Sequence, residues 1–338
     1  MTQLKDDLLN WVISESRHLE FSEVLGIESL REQASLRSYF RIITDKGTKV
    51  GVISDPNSNI NNLFITYSKF FLDNNIKVPR VEAHDHDKGF MLMEDFGDKV
   101  LQLEIDNENF DRLIKDSLET IISIQSCKPP SNLKDLSGQN YIEQMSLFKE
   151  WFLDNLLDLD LSKEEELILQ NSYRMIAEEC VNQKRVLCHF DYEFRNLMLL
   201  DDDSIGVLDF QDLCVGSYAL DLASIVKDID NPLTEDQMKS YLSFFLGLLK
   251  NRRQEEELAL NDLTKDVDFV SFQRQFRILG TLSRLHLRDE KSFRLIDLKT
   301  TLKFLIKDTQ KYEDLEGLSE FLSKKVEPRL LIVLKQIT

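Results

Sequence analysis

The sequence predicts an α+β fold in two lobes, a small and mostly antiparallel β lobe followed by a larger, mainly helical one. Three observations lead there. Between residues 28 and 94 short apolar runs with β-branched content alternate with turn residues, whereas beyond Gly97 apolar positions recur at helical spacing almost to the end. Two short apolar runs, Val186–Cys188 and Ile205–Leu208, interrupt that helical stretch, and each ends on a polar cluster containing an aspartate. The expected boundaries are residues 1–94 for the first lobe and 95–338 for the second, with a hinge near 93–97.

The elements follow in order. Residues 2–18 read as an amphipathic helix with Leu4, Leu8, Trp11, Val12 and Glu15 at helical spacing. R-S-Y-F-R-I-I-T, a D-K-G-T turn and K-V-G-V-I-S-D-P form an antiparallel hairpin within residues 28–55. A helix over residues 63–73 precedes V-P-R-V-E-A, a turn at His84–Gly89, and the strand F-M-L-M that ends in Glu94-Asp95-Phe96-Gly97. Helical patterns then cover roughly 108–127, 137–157, 162–182, 217–229, 234–250, 265–290, 293–310 and 315–336, with loops at Pro129-Pro130 and Asn231-Pro232.

Composition excludes several classes. Sixty acidic against 42 basic residues leave a net charge of −18, which argues against nucleic acid as a partner, because phosphate binding needs clustered positive charge. Cys127, Cys180, Cys188 and Cys214 show no CxxC pairing, so neither a zinc pattern nor a disulfide framework is expected. The N-terminus lacks the basic start and apolar core of a signal peptide, and no apolar run approaches the roughly 18 residues that span a bilayer. A cytoplasmic protein with reduced thiols and no membrane partner is the expectation.

The chemistry concentrates in residues 186–212. Asp191 is followed by four residues and then Asn196, and Asp209 comes thirteen positions after that, beyond an Asp201-Asp202-Asp203 turn. Phosphoryl transfer needs a carboxylate near the acceptor hydroxyl and oxygen ligands for a magnesium ion on the nucleotide phosphates. Asp191 suits the first task and Asn196 with Asp209 the second, since magnesium takes hard oxygen donors and draws its other ligands from phosphates and water. Asp and Asn also cap ordinary turns, yet three such positions at matched offsets behind matched strands favour the catalytic reading. The order and spacing resemble the H-R-D-x-x-x-x-N loop and D-F-G segment of protein kinases, with His189-Phe190-Asp191, Asn196 and Asp209-Phe210-Gln211 standing in.

H-F-D-Y-E-F-R-N-L-M, G-V-L-D-F-Q-D and Y-A-L-D-L-A-S-I together resemble the aminoglycoside phosphotransferase and choline kinase superfamily, whose members share the protein-kinase fold. More narrowly, S-L-R-S-Y-F-R, L-F-K-E-W-F at 147–152, D-F-Q-D at 209–212 and the segment 273–293 are similar to bacterial anomeric kinases of N-acetylmuramate and N-acetylglucosamine that serve cell-wall recycling. The resemblance spans nearly the whole chain. It implies an ATP- and Mg2+-dependent sugar kinase that makes a sugar 1-phosphate. An aminoglycoside or choline-type amino alcohol kinase and an inactive kinase-like binding module are the alternatives.

Carried onto this chain, the resemblance makes Asp191 the catalytic base, Asn196 and Asp209 the metal ligands, and His189 and Asp221 supports of the loop. Arg195 either neutralises transition-state charge or pairs with a neighbouring acid. Met93, Glu94, Asp95 and Phe96 are the expected adenine hinge, with apolar Met93 and Phe96 flanking an exposed Glu94-Asp95. Glu143 and Glu150, two turns apart on one helix face, with Trp151, Gln211 and Asp212, are the expected sugar contacts; in an amphipathic helix a tryptophan also serves as plain core. Of Arg274, Arg277, Arg284 and Arg288, most read as surface or packing charges, and one as a reader of the muramate carboxylate.

Two features depart from protein kinases. In place of a glycine-rich loop stands Ala34-Ser35-Leu36-Arg37-Ser38-Tyr39, where backbone N–H groups, the Ser35 and Ser38 hydroxyls and the Arg37 guanidinium are the expected phosphate holders. Ser54 or Asp55 occupies the position of the phosphate-binding lysine, a lysine the resembled sugar kinases also lack. Arg37, Arg41 and Lys49 are the candidate replacements on the first hairpins.

Overall fold

The structure is a computed structural model that describes residues 2–15, 18–30, 37–58, 60–253 and 258–337. Ser35 lies outside the described residues. The chain divides into two compact units, Met1–Cys127 with Asp191–Asp212, and Lys128–Phe190 with Leu213–Thr338.

In chain order the first unit opens with helix α1 (Thr2–Glu15) and strands β1 (Val24–Ser29), β2 (Ser38–Thr44) and β3 (Gly47–Ile53). Helix α2 (Ile60–Asp73), β4 (Val81–Asp85), β5 (Phe90–Glu94), α3 (Leu101–Glu104) and α4 (Phe110–Ser126) follow. The five strands form one sheet in the order β1-β2-β3-β5-β4, with every neighbouring pair antiparallel. β2 shows why the pattern is legible: Phe40, Ile42 and Thr44 are buried on one face, while Tyr39, Arg41 and Ile43 between them are only half-buried. Leu8, Trp11 and Val12 of α1 close that face over Phe40, Ile42, Phe90 and Leu92.

The second unit contributes β6 (Lys134–Asp135), α5 (Gly138–Leu147), a wide π-helical continuation over Phe148–Leu156, α6 (Lys163–Asn182) and β7 (Arg185–Cys188). Helices α5 and α6 both start at capping boxes, Ser137 with Asn140 and Ser162 with Glu165, which satisfy otherwise orphaned amides. The chain then passes into the first unit as the ribbon β8 (Leu197–Leu199) and β9 (Ile205–Val207) and returns as β10 (Cys214–Ser217). β10 lies between β6 and β7 in a three-stranded sheet. Helices α7 (Leu220–Val226), α8 (Glu235–Arg253), α9 (Leu260–Asp289), α10 (Asp297–Thr309), α11 (Glu316–Phe321) and α12 (Glu327–Ile337) complete it.

The thirty-residue α9 is the axis of the second unit. At Gly280 it lies so close to the end of α5 that an added Cβ would meet the Leu147 carbonyl carbon at 2.3 Å, so only glycine fits. At the other side of α9, Asp268 and Asp308 of α10 both pair with Lys227, at 2.6 and 2.7 Å. All four cysteines are free and buried. Among the described residues no helix is long and apolar enough to cross a membrane.

Candidate active site

The ribbon β8–β9 presents the polar cluster. Its register pairs Leu197 with Val207, and the Leu208 amide donates to the Asn196 carbonyl at 2.9 Å, so Asn196 and the residue preceding Asp209 face each other at its open end. The loop before β8 folds on the main chain of Asp191, whose carbonyl accepts from the Glu193 amide at 3.0 Å and from Asn196 Nδ2 at 2.9 Å. With its nitrogen committed there, Asn196 keeps Oδ1 as a hard oxygen donor. Tyr192 and Phe194, both buried, root the loop, and the Tyr192 hydroxyl donates to the Ser117 carbonyl of α4 at 3.0 Å.

Asp209 is exposed and has a left-handed backbone, φ 59°. Gln211 Nε2 donates to its Oδ1 at 2.5 Å. Phe210 turns the opposite way into the core and packs on Phe64 and Phe71 of α2, with ring centroids 4.5 and 5.7 Å away. This alternation, one side chain out and the next anchored, fixes where the Asp209 carboxylate emerges. Asp212 lies within electrostatic reach of Tyr67, whose hydroxyl is shifted above the usual phenol range by burial first and by Asp212 second.

The segment expected as the adenine hinge, residues 93–97, lies inside the first unit, which runs on to Cys127. Met93 is buried and Glu94 exposed, as expected. Asp95 differs: its side chain is only 3% exposed, because Arg41 Nε donates to it at 2.7 Å and the Gly97 amide at 2.9 Å. Phe96 lies on β9, where a Cβ at Gly206 would come within 2.7 Å of its ring. A residue with no side chain there lets the hinge pack against the strand that leads to Asp209.

The candidate cations of the first hairpins separate clearly. Arg41 is held by Asp95 and Asp98, and Lys49 by Glu82 at 2.5 Å. Arg37, 7% exposed, has its guanidinium 5.3 Å from the Phe64 ring centroid, and Phe64 in turn stacks on Phe210. Ser38 opens β2 beside it and is exposed. Where a lysine would stand, buried Ser54 accepts a hydrogen bond from Asn61 Nδ2 of α2 at 2.6 Å and donates to the Gly89 carbonyl at 3.1 Å. A neutral hydrogen bond thus ties this position to α2. Arg195 pairs with Glu193, which is the neighbouring-acid alternative.

His189 and Asp221 lie in the second unit, both wholly buried. The Asp221 carboxylate accepts from the His189 amide at 2.7 Å and the Phe190 amide at 3.0 Å. Burial holds it above the usual carboxylate range, although His189 and the two amides pull the other way. Glu143 and Glu150 are exposed and Trp151 half-buried, also in that unit. The wide turn that begins at Phe148 separates the α-helical Glu143 from Glu150.

The loop, the ribbon and a five-stranded antiparallel sheet are the parts of a kinase-type phosphotransferase. A family model described as "Phosphotransferase enzyme family" matches residues 26–258. The chain belongs to this family. Among curated relatives, an N-acetylmuramate/N-acetylglucosamine kinase from Pseudomonas aeruginosa is 25% identical over 290 residues, 86% of each chain. One of the same name from Neisseria meningitidis is 24% identical over 87% of this chain and 88% of its own. The solved structures agree on the fold: an ADP-bound aminoglycoside phosphotransferase covers 94% of this chain and 98% of its own at TM-score 0.60 and 13% identity. A choline kinase from Streptococcus pneumoniae covers 88% and 99% at TM-score 0.62 and 12% identity.

Proposed function

We propose that this phosphotransferase is an ATP-dependent sugar kinase that phosphorylates N-acetylmuramate or N-acetylglucosamine at the anomeric hydroxyl. What supports the reaction class is that Asp191, Asn196 and Asp209 are carried by one loop and the ribbon it leads into, with Asn196 Nδ2 bonded to the Asp191 carbonyl. The acceptor class rests on the curated relatives, which carry that name over more than four-fifths of both chains.

Asp191 orients the acceptor hydroxyl and receives its proton as the oxygen attacks the terminal phosphorus of the donor. An anomeric hydroxyl is more acidic than an ordinary alcohol, so a weak carboxylate base suffices. Asn196 Oδ1 and the exposed Asp209 carboxylate are two hard oxygen donors at one ribbon end, which fits magnesium with its remaining positions filled by phosphates and water. When bound, that ion neutralises charge across the donor phosphates. Gln211, bonded to Asp209, and Asp212 face the acceptor. The hinge, Met93 to Phe96, receives the nucleotide base, with Met93 and Phe96 supplying apolar walls.

Arg37 fills the charge role of the missing lysine. What supports this is its place: Arg37 rests on aromatic rings contiguous with the Asp209 segment. Arg37→Ala is expected to lower kcat/KM for the nucleotide by about 10²-fold, the size of one preorganised donor lost, while Arg41→Ala costs mainly stability. Steady-state kinetics and thermal unfolding of both variants check this.

Product formation from Mg-ATP with N-acetylmuramate, N-acetylglucosamine, choline and kanamycin-type acceptors tests the substrate class. Turnover restricted to the two sugars is expected. Preference for a cationic acceptor would replace this reading with an amino alcohol or aminoglycoside kinase.

A further inference from the structure

Phe190, the residue before Asp191, has φ 82°, a left-handed backbone that a bulky L-residue rarely adopts. Such a conformation is strained and persists only where its surroundings over-determine it. Three groups of the second unit do so. Asp221 accepts from the Phe190 amide at 3.0 Å, Arg274 Nη1 of α9 donates to its carbonyl at 3.4 Å, and the Arg277 guanidinium sits 4.5 Å from its ring centroid. Its amide, carbonyl and side chain are therefore each held by a different residue. Arg274 is 6% exposed, a poor place for a surface charge, and lies three residues from Arg277 on one face of α9. The close approach of α9 to Leu147 at Gly280 keeps that helix from shifting to relieve the contact.

We propose that Arg274 and Arg277 are positioning residues that clamp Phe190 in its left-handed turn and so set the direction in which the chain enters Asp191. They act through Phe190 and touch neither donor nor acceptor. The proposal rests on Asp191 being the base. It assigns work to two arginines that otherwise read as packing charges or carboxylate readers, and it explains why a long helix carries a buried guanidinium beside the catalytic loop.

A double-mutant cycle between Phe190 and Arg277, read as kcat and KM separately, tests it. Arg277→Ala is expected to lower kcat by about 10- to 100-fold, the scale of an ångström-level misplacement, with KM for nucleotide and sugar within about twofold. Arg277→Lys keeps a cation over the ring and restores most of the loss. In a Phe190→Leu background, itself slow, Arg277→Ala adds less than about twofold, because its partner is already gone. Additive losses in the cycle, or a rise confined to the KM for N-acetylmuramate, would overturn the clamp, the latter in favour of Arg277 reading the acceptor carboxylate. Should Arg277→Ala fail to fold, Phe190→Leu carries the test, and full kcat in that variant refutes the proposal. Asp191→Asn assayed in parallel separates the two levels. If it is inert while the Arg277 variants keep full kcat, the clamp alone is wrong; if it is fully active, the assignment of the base is wrong.

Discussion

Asp191→Asn is expected to lower kcat by about 10²–10⁴-fold, the contribution of a positioned general base, with the thermal midpoint nearly unchanged. The amide is isosteric with the carboxylate and cannot take up the acceptor proton. The loop survives because the bonds that fold it use the Asp191 main-chain carbonyl, which accepts from Glu193 N and Asn196 Nδ2. Asn196 also keeps its own orientation, so nucleotide binding is retained. Initial rates together with nucleotide titration and thermal unfolding check the split: a lost kcat with an intact binding isotherm is the predicted pattern. An unfolded variant would instead lose both.

Lys227→Met is expected to destabilise the protein by about 3–5 kcal/mol, the cost of leaving buried carboxylates without their cation. The Lys227 ammonium is 8% exposed, and its partners Asp268 and Asp308 are 1% and 5% exposed. Lys311 pairs with Asp308 at 2.7 Å but is 37% exposed and compensates only in part. Burial alone would lower the Lys227 pKa and raise that of Asp308, yet attraction wins in both, so the lysine ends raised and the aspartate lowered. The sign of the pH dependence follows. A carboxylate whose folded pKa lies below its unfolded value contributes stability above the unfolded pKa and loses it as pH falls through the folded one. Since the ordinary value is 3.8, the wild type holds the full contribution near neutral pH and sheds it as pH drops below about 4. In Lys227→Met Asp308 takes up a proton more readily, so the stability gap to wild type narrows over that acid range. Urea unfolding at pH 7 and pH 4 measures both effects.

The parts of this molecule that the sequence displays are those set by local period and turn chemistry. The β2–β3 hairpin, the β5 strand and the long helices stand where apolar content puts them: β2 buries one face, whereas Phe90–Met93 of β5 and residues 267–276 of α9 are buried all round. Strand β1 was invisible: Val24–Ser29 is half-buried without alternation. β6 and β10 are too short to show a period, and the wide turn over Phe148–Leu156 leaves the helical pattern looking continuous.

The same limit applies at the site. Asp191, Asn196 and Asp209 are legible because one loop and one ribbon carry them all. The fate of the cations is not, since it depends on partners far along the chain. Arg41 is taken by Asp95, 54 residues away, and Arg274 reaches Phe190 across 84. Arg37 is singled out by the Phe64 and Phe210 rings beside it, which no spacing rule connects. Exposed Glu94 could be read from its strand end, whereas the burial of Asp95 could not.

The central claim is that this chain moves the terminal phosphoryl group of a nucleotide onto the anomeric oxygen of an N-acetylated sugar with Asp191 as base. Phosphorus NMR of the product formed from Mg-ATP and N-acetylmuramate or N-acetylglucosamine tests it most directly. A single sugar phosphate resonance coupled to the anomeric proton is expected, building up at least about 10²-fold more slowly when Asp191→Asn replaces the wild type. A phosphate coupled to the protons of C6, or transfer to the sugar at the wild-type rate in Asp191→Asn, would contradict it.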